Sequence, residues 1–75
     1  MNIRESAENY LETILILGER KGSVRSIDIA NELNFSKPSV SVAMKNLRKN
    51  GYITIDEGGF ITLTDAGFEI ADRMY

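Results

Sequence analysis

Apolar residues recur along this chain with two different periods, and the change between them divides it. Ile3, Ala7, Tyr10, Leu11, Ile14, Leu17 and Gly18 fall at helical spacing, which predicts a first helix over roughly residues 6–20. Lys21-Gly22 closes it with a cation and a glycine, as a helix dipole and a left-handed final turn favour. Ile16 lies far from the stripe and reads as a single exposed apolar residue. Residues 23–25 read as a short extended connection. Ser26 is then placed to N-cap a second, shorter helix, with Asp28 in its first turn. Its apolar face is Ile27, Ala30 and Leu33, with Ile29 as a further candidate. Only Asn34 and Phe35 separate Leu33 from Ser36, a tight turn in which Phe35 is expected to plug the core.

The stretch NFSKPSVSVAMKNLRKNG, residues 34–51, carries both of its end signals. Ser36 sits where an N-cap belongs, and Lys37 and Pro38 fill a first turn in which a missing N–H costs nothing. Asn50-Gly51 supplies the left-handed stop. At about 100° per residue, Val40, Ala43, Met44 and Leu47 form one narrow packing stripe. The opposite face carries Pro38, Ser41, Val42, Lys45 and Lys49, flanked by Lys37 and Arg48. Two helices joined by so short a turn, the second polar and basic on its outer face, spell helix-turn-helix.

After Gly51 the period falls to 2. Tyr52-Ile53-Thr54-Ile55 and Phe60-Ile61-Thr62-Leu63 alternate around Asp56-Glu57-Gly58-Gly59, the composition of a β-hairpin. Ile53, Ile55, Ile61 and Leu63 share one face, with Thr54 and Thr62 on the other. The period then returns to 3.6. Thr64 N-caps a last helix whose stripe is Gly67, Ile70, Ala71 and Met74, and Gly67 implies a backbone packed close against it. Phe68 and Tyr75 form a second apolar edge. A hairpin directly after a recognition helix is a wing. The expected fold is therefore mainly helical α+β: a winged helix-turn-helix of three helices, a two-stranded wing and a C-terminal linking helix.

Composition narrows the function. Seventy-five residues make one small domain, which buries only about 60% of the surface its unfolded chain exposes, so a partner or dimer would help it. With no Cys and no His, thiolate and imidazole metal sites, Cys and His nucleophiles and the usual general base are all absent. No carboxylate pair sits with an activated partner, so the chain is not expected to be an enzyme. It has no signal pattern and no apolar run near the ~20 residues needed to span a bilayer, and is expected to be cytoplasmic and away from membranes.

Net charge is −2 and the isoelectric point is near 5.0, which on the sum alone argues against nucleic acid. The distribution argues for it. Acids crowd residues 5–12 and 56–72, whereas every charge between Asn34 and Gly51 is positive. Exposed lysines by themselves are ordinary solvation. Val42, however, points away from the packing stripe, where a thymine methyl would meet it, and the face around it uses Ser although Glu is the better helix former. Lys45 is the expected phosphate contact. Asp56 and Glu57 repel phosphate and would keep the wing beside the DNA backbone.

Three segments resemble one family. ENYLETILIL, SIDIANELNFSKPSVSVAMKNLRKNGYI and ITLTDAGFEIADRM are similar to the N-terminal DNA-binding domain of metal-dependent repressors, the diphtheria toxin repressor and manganese transport regulator family. The resemblance covers essentially residues 1–75, and implies that the family's metal and dimerisation domain is absent from this chain. It implies a homodimer on double-stranded DNA at a palindromic operator, with Fe²⁺ or Mn²⁺ as co-repressor. The DNA-contacting positions that carry over are Ser36, Lys37, Pro38, Ser39, Ser41 and Val42. Lys45, Arg48 and Lys49 extend that set as cations of the same helix. Val42 stands where the family has a glutamine-like base reader, which suggests methyl contact. At the family's first-helix ligand positions stand Asn9, a neutral and weak oxygen ligand, and Glu12 one turn later. No metal is expected on this chain alone, and the dimer is expected to be weak, through Phe68 and Tyr75. The competing reading is a stand-alone winged-helix protein-interaction or metal-independent regulatory module, which the acidic isoelectric point and the spare Ile16, Phe68 and Tyr75 would suit.

Overall fold

The computed structural model describes the backbone of residues 3–74 and the side chains of residues 7–73. Its elements run α1 (Ile3–Lys21), α2 (Ser26–Leu33), α3 (Lys37–Lys49), β1 (Ile53–Ile55), β2 (Ile61–Leu63) and α4 (Asp65–Met74), the order of a winged helix-turn-helix. The expectations for Tyr75 and for the packing of Ile3 and Met74 lie outside the described residues. No described helix is long and apolar enough to cross a membrane.

The core is where the stripes meet. Tyr10, Leu11, Ile14 and Leu17 of α1, Ile29 and Ala30 of α2, and Val40, Met44 and Leu47 of α3 are buried together with Val24, Ile53, Ile61 and Ala71. Ile16 is half-buried, more covered than its position off the stripe suggested.

Helix α2 departs from expectation at its start. Val24 and Arg25 are held as extended chain against the wing: the Ile61 N–H donates to the Val24 carbonyl at 2.7 Å, and Arg25 bridges Phe60 antiparallel. The helix can begin only after Arg25, so Arg25 occupies the N-cap position and Ser26 is the first helical residue. The Asp28 carboxylate supplies the cap by accepting the Arg25 N–H at 2.9 Å. Ala30 is buried and Leu33 packs against the core as read from spacing, and Ile29, the further candidate, is fully buried; Ile27 is the correction, an exposed residue at 38%. Phe35 is a second correction. It is 41% exposed, and its ring meets the edge of Tyr10 at a centroid distance of 6.0 Å, so it covers the rim of the core rather than filling it. Asn34, left-handed at φ 57°, makes the turn that puts it there.

Both ends of α3 form as their residues dictate. Ser36 Oγ accepts the Ser39 N–H. At the other end the Tyr52 N–H donates to the Leu47 carbonyl and the Gly51 N–H to the Arg48 carbonyl, with Gly51 at φ 82°. That is a Schellman motif, and it turns the chain into the wing. The strands pair Ile53 with Leu63, Thr54 with Thr62 and Ile55 with Ile61, so one face is apolar and the threonines face outward. The wing tip is a three-residue loop closed by Gly59 at φ 83°.

Helix α4 is anchored to the same turn. The Thr64 N–H donates to the Tyr52 carbonyl at 3.0 Å, and its hydroxyl donates to the Gly51 carbonyl at 2.7 Å while accepting the Gly67 N–H at 3.2 Å. A Cβ on Gly67 would stand 2.0 Å from the Tyr52 carbonyl oxygen. The close backbone expected of Gly67 is thus the chain leaving α3.

Two tests follow from this packing. Gly67→Ala forces α4 away from Tyr52 and should destabilise the domain by about 3 kcal/mol, the upper end of overpacking costs. Thermal melting read by circular dichroism should fall by more than about 10 °C; a melt within a few degrees of wild type would mean that α4 can shift freely. Separately, the Lys21 ammonium, 2.6 Å away, and then the Arg25 N–H hold the Asp28 carboxyl below its ordinary value of 3.8. A lowered folded-state value contributes stability above the unfolded value, lost as pH falls through the folded one. Asp28→Asn should therefore be less stable than wild type near neutrality, with the difference closing below about pH 4 in denaturant titrations. A gap of constant size through acid would exclude the ionised form as the source.

Candidate nucleic-acid interface

Burying Val40, Met44 and Leu47, with Ala43 packed beside them, leaves the opposite side of α3 in solvent. Ser36, Lys37, Pro38, Ser39, Ser41, Val42, Lys45, Arg48 and Lys49 are all exposed, so every residue expected of the outward face of this helix is on it. Val42 is 59% exposed, a large apolar side chain standing among cations and hydroxyls. Among the described residues, Lys37, Lys45, Arg48 and Lys49 enter no ion pair; the pairs that form are Lys21 with Asp28 and Arg20 with Glu32, at the far end of α1. Cations on one ridge that no described acid pairs with contribute to a local positive potential.

The first turn of α3 is more constrained than a row of free hydroxyls. Ser36 Oγ accepts the Ser39 N–H at 3.3 Å and donates its proton to Ser39 Oγ at 2.8 Å. Ser36 is therefore committed to the cap, and Ser39 keeps the free donor. At the other end Asn50 is committed too, its Nδ2 donating to the Asn46 carbonyl at 2.9 Å.

The wing tip is organised by an acid. Asp56 Oδ1 accepts the N–H groups of Gly58 and Phe60, each at 2.9 Å, so this carboxylate builds the loop, and Glu57 is left exposed beside it. The Arg25 guanidinium lies 4.4 Å from the centre of the Phe60 ring, stacked on its face. Arg25 was not singled out by sequence reasoning. It looks like a linker cation until the strand bridge sets it beside the wing. Asn46 was also missed; its signal was available, since it lies one turn beyond Val42 on the exposed side.

The first-helix residues fit a metal poorly. Asn9 is exposed and Glu12 half-buried, one turn apart, and the Asn9 carbonyl accepts the buried Thr13 hydroxyl at 2.8 Å. No group of three or more Asp, Glu, Cys or His side chains that could hold a metal occurs among the described residues. One carboxylate and one amide fall short of the four or more donors that a transition metal or Ca²⁺ takes. Titrating the chain with Mn²⁺ in a calorimeter should give no binding heat at micromolar concentration, and a stoichiometric heat abolished by Glu12→Ala would show a site completed by another acid.

Residues 2–58 match the sequence model of a family described as iron dependent repressor, N-terminal DNA binding domain. Among curated proteins, the chain is 36% identical over 69 residues to the HTH-type transcriptional regulator MntR of Geobacillus thermodenitrificans (strain NG80-2), covering 92% of this chain and 49% of that protein. The MntR of Geobacillus kaustophilus (strain HTA426) matches to the same extent. That of Lysinibacillus sphaericus (strain C3-41) is 33% identical over 69 residues, covering 92% of this chain and 50% of that protein. The chain spans about half the length of these relatives.

Proposed function

Since the chain belongs to the iron dependent repressor family, through that family's N-terminal DNA-binding domain, we propose that α3 is its recognition helix and enters the major groove of an operator. The observation that carries this reading is the outward ridge of α3: four cations, without an ion pair among the described residues, around an exposed Val42. Lys37, Lys45, Arg48 and Lys49 neutralise phosphates on the groove walls, releasing counterions, which supplies most of the affinity. Arg25, held on the Phe60 ring, adds a phosphate contact beside the wing. Pro38, Ser39, Ser41 and Val42 face the base edges. Ser36 keeps the helix start rigid and brings the first turn close to the strand.

The working unit is a homodimer on a palindrome. The Cα extents of one domain are 27 × 25 × 23 Å, below the ~34 Å between adjacent half-sites on one face of the duplex, so two copies can sit side by side. The relatives are twice as long, and dimerisation and control by Mn²⁺ or Fe²⁺ are proposed for the whole repressor rather than for this domain. Asn9 and Glu12 would then be a partial ligand pair that other residues complete. Phe68, exposed along α4, supports at most a weak contact between isolated domains, because association entropy offsets much of what one aromatic side chain gains.

Lys45→Ala should weaken binding nearly uniformly across operator variants and lower the slope of log K against log salt by about one unit. Val42→Ala should relax preference at one thymine and leave the slope alone. Fluorescence anisotropy over a salt series on variant duplexes reads both. A Lys45→Ala protein with an unchanged slope and altered base preference would reverse the roles assigned here. Binding that does not depend on salt at all would favour the protein-interaction module instead.

A further inference from the structure

The outward side of α3 has two edges, and they differ in chemistry. Ser41, Lys45, Arg48 and Lys49 make one of them hydroxylic and cationic. Ser39, Val42, Asn46 and Asn50 make the other neutral, and together these four form one wall of an open groove of about 760 Å³ whose far wall includes Glu8 and Arg73. Three of the four have an explanation. Ser39 belongs to the helix start, Val42 to the methyl contact proposed above, and Asn50 to the helix end. Asn46 has none. It is exposed, and among the described residues its carboxamide takes part in no hydrogen bond. Only its backbone carbonyl is used, accepting from the Asn50 N–H at 3.0 Å and from Asn50 Nδ2 at 2.9 Å. Asn is a poor former of helix interiors, and its neighbours on this helix show that Lys and Arg would serve solvation equally well.

We propose that Asn46 is a base reader, using its carboxamide in a bidentate pair with an adenine in the major groove. The assignment rests on the DNA-binding reading and deepens it. An amide matches adenine because its oxygen accepts from N6 while its nitrogen donates to N7, a pairing that no other base offers in that groove. Position agrees with chemistry. Four residues at about 100° each bring Asn46 to within about 40° of the direction of Val42. Their separation along the axis is about 6 Å, close to two base-pair steps of about 3.4 Å. Lys45, the next residue back, points about 100° away, so a helix that sets Lys45 on a phosphate turns Asn46 inward, towards the bases. The half-site read by this edge is therefore a thymine met by Val42 and, about two steps along, an adenine met by Asn46.

The test is selection from a duplex library randomised across the half-site, at low salt, with wild type, Asn46→Ala and Asn46→Asp. Wild type should enrich an A·T pair at one position about two steps from the position that Val42→Ala relaxes. Asn46→Ala should lose that enrichment by about tenfold while keeping the rest of the profile and the salt slope. Asn46→Asp, an acceptor without a donor, should move the preference at that position to cytosine, whose N4 amine is the donor a carboxylate can take. Circular dichroism of both variants should match wild type, since the residue is exposed. An unchanged profile in Asn46→Ala overturns the assignment and leaves the DNA-binding reading standing. So does uniform weakening across all sequences, which would make Asn46 a backbone contact. A wild-type chain that enriches no sequence overturns both.

Discussion

The fold turns on the contact between the first turn of α4 and the chain leaving α3. Tyr52 donates its N–H to Leu47 at the end of the recognition helix and accepts, through its carbonyl, the N–H of Thr64. Thr64 in turn holds the Gly51 carbonyl and the Gly67 N–H. Within a few residues, therefore, the stop of α3, the start of the wing and the start of α4 share one set of hydrogen bonds. There is no room for a side chain in it, because a Cβ at Gly67 would fall on the Tyr52 oxygen. From this point α4 packs along α1 and buries Ala71 in the core. A small domain has little apolar surface to spare, and such a junction gives it rigidity where packing area alone would not.

Rigidity at that place serves the outward face of α3. A recognition helix must hold its side chains in register with a groove, and both of its ends are tied: Ser36 at the start, the Schellman turn and Asn50 at the end. The wing is tied back as well, through Ile61 to Val24 and through the stack of Arg25 on Phe60. The result is a stiff scaffold with an uncommitted ridge.

Charge is arranged to the same end. A chain with a net charge of −2 presents a positive ridge because several of its acids are occupied elsewhere. Asp28 is held by Lys21 and the Arg25 N–H, Glu32 pairs with Arg20, and Asp56 builds the wing tip. None of these contacts is strong at the surface, but each keeps an acid engaged away from Lys37, Lys45, Arg48 and Lys49. The chain belongs to the iron dependent repressor family through its N-terminal DNA-binding domain and spans about half the length of the relatives it matches. Asn9 and Glu12 offer one amide and one carboxylate, and no group of three or more His, Cys, Asp or Glu that could hold a metal occurs among the described residues.

Much of this was legible in the residues. Period and end signals determined the order of elements, the buried stripe of α3, the apolar face of the wing and the exposed cations opposite. Such features are local: a helix stripe, an N-cap or a glycine turn depends on neighbours a few positions away. The crowding at Gly67 could be anticipated too, since a glycine inside a helix stripe needs a reason, although its partner could not. Tertiary structure decided the rest. The pairing of Val24 and Arg25 with the wing set the N-cap of α2 at Arg25, one residue before Ser26, and packing against the other elements put Ile29 rather than Ile27 in the core. Phe35 went to the rim, its ring against the edge of the buried Tyr10. Arg25 gained its place beside the wing only when residues 35 positions apart were brought side by side. In each case the deciding contact joins segments distant in the chain, and periodicity carries no record of those.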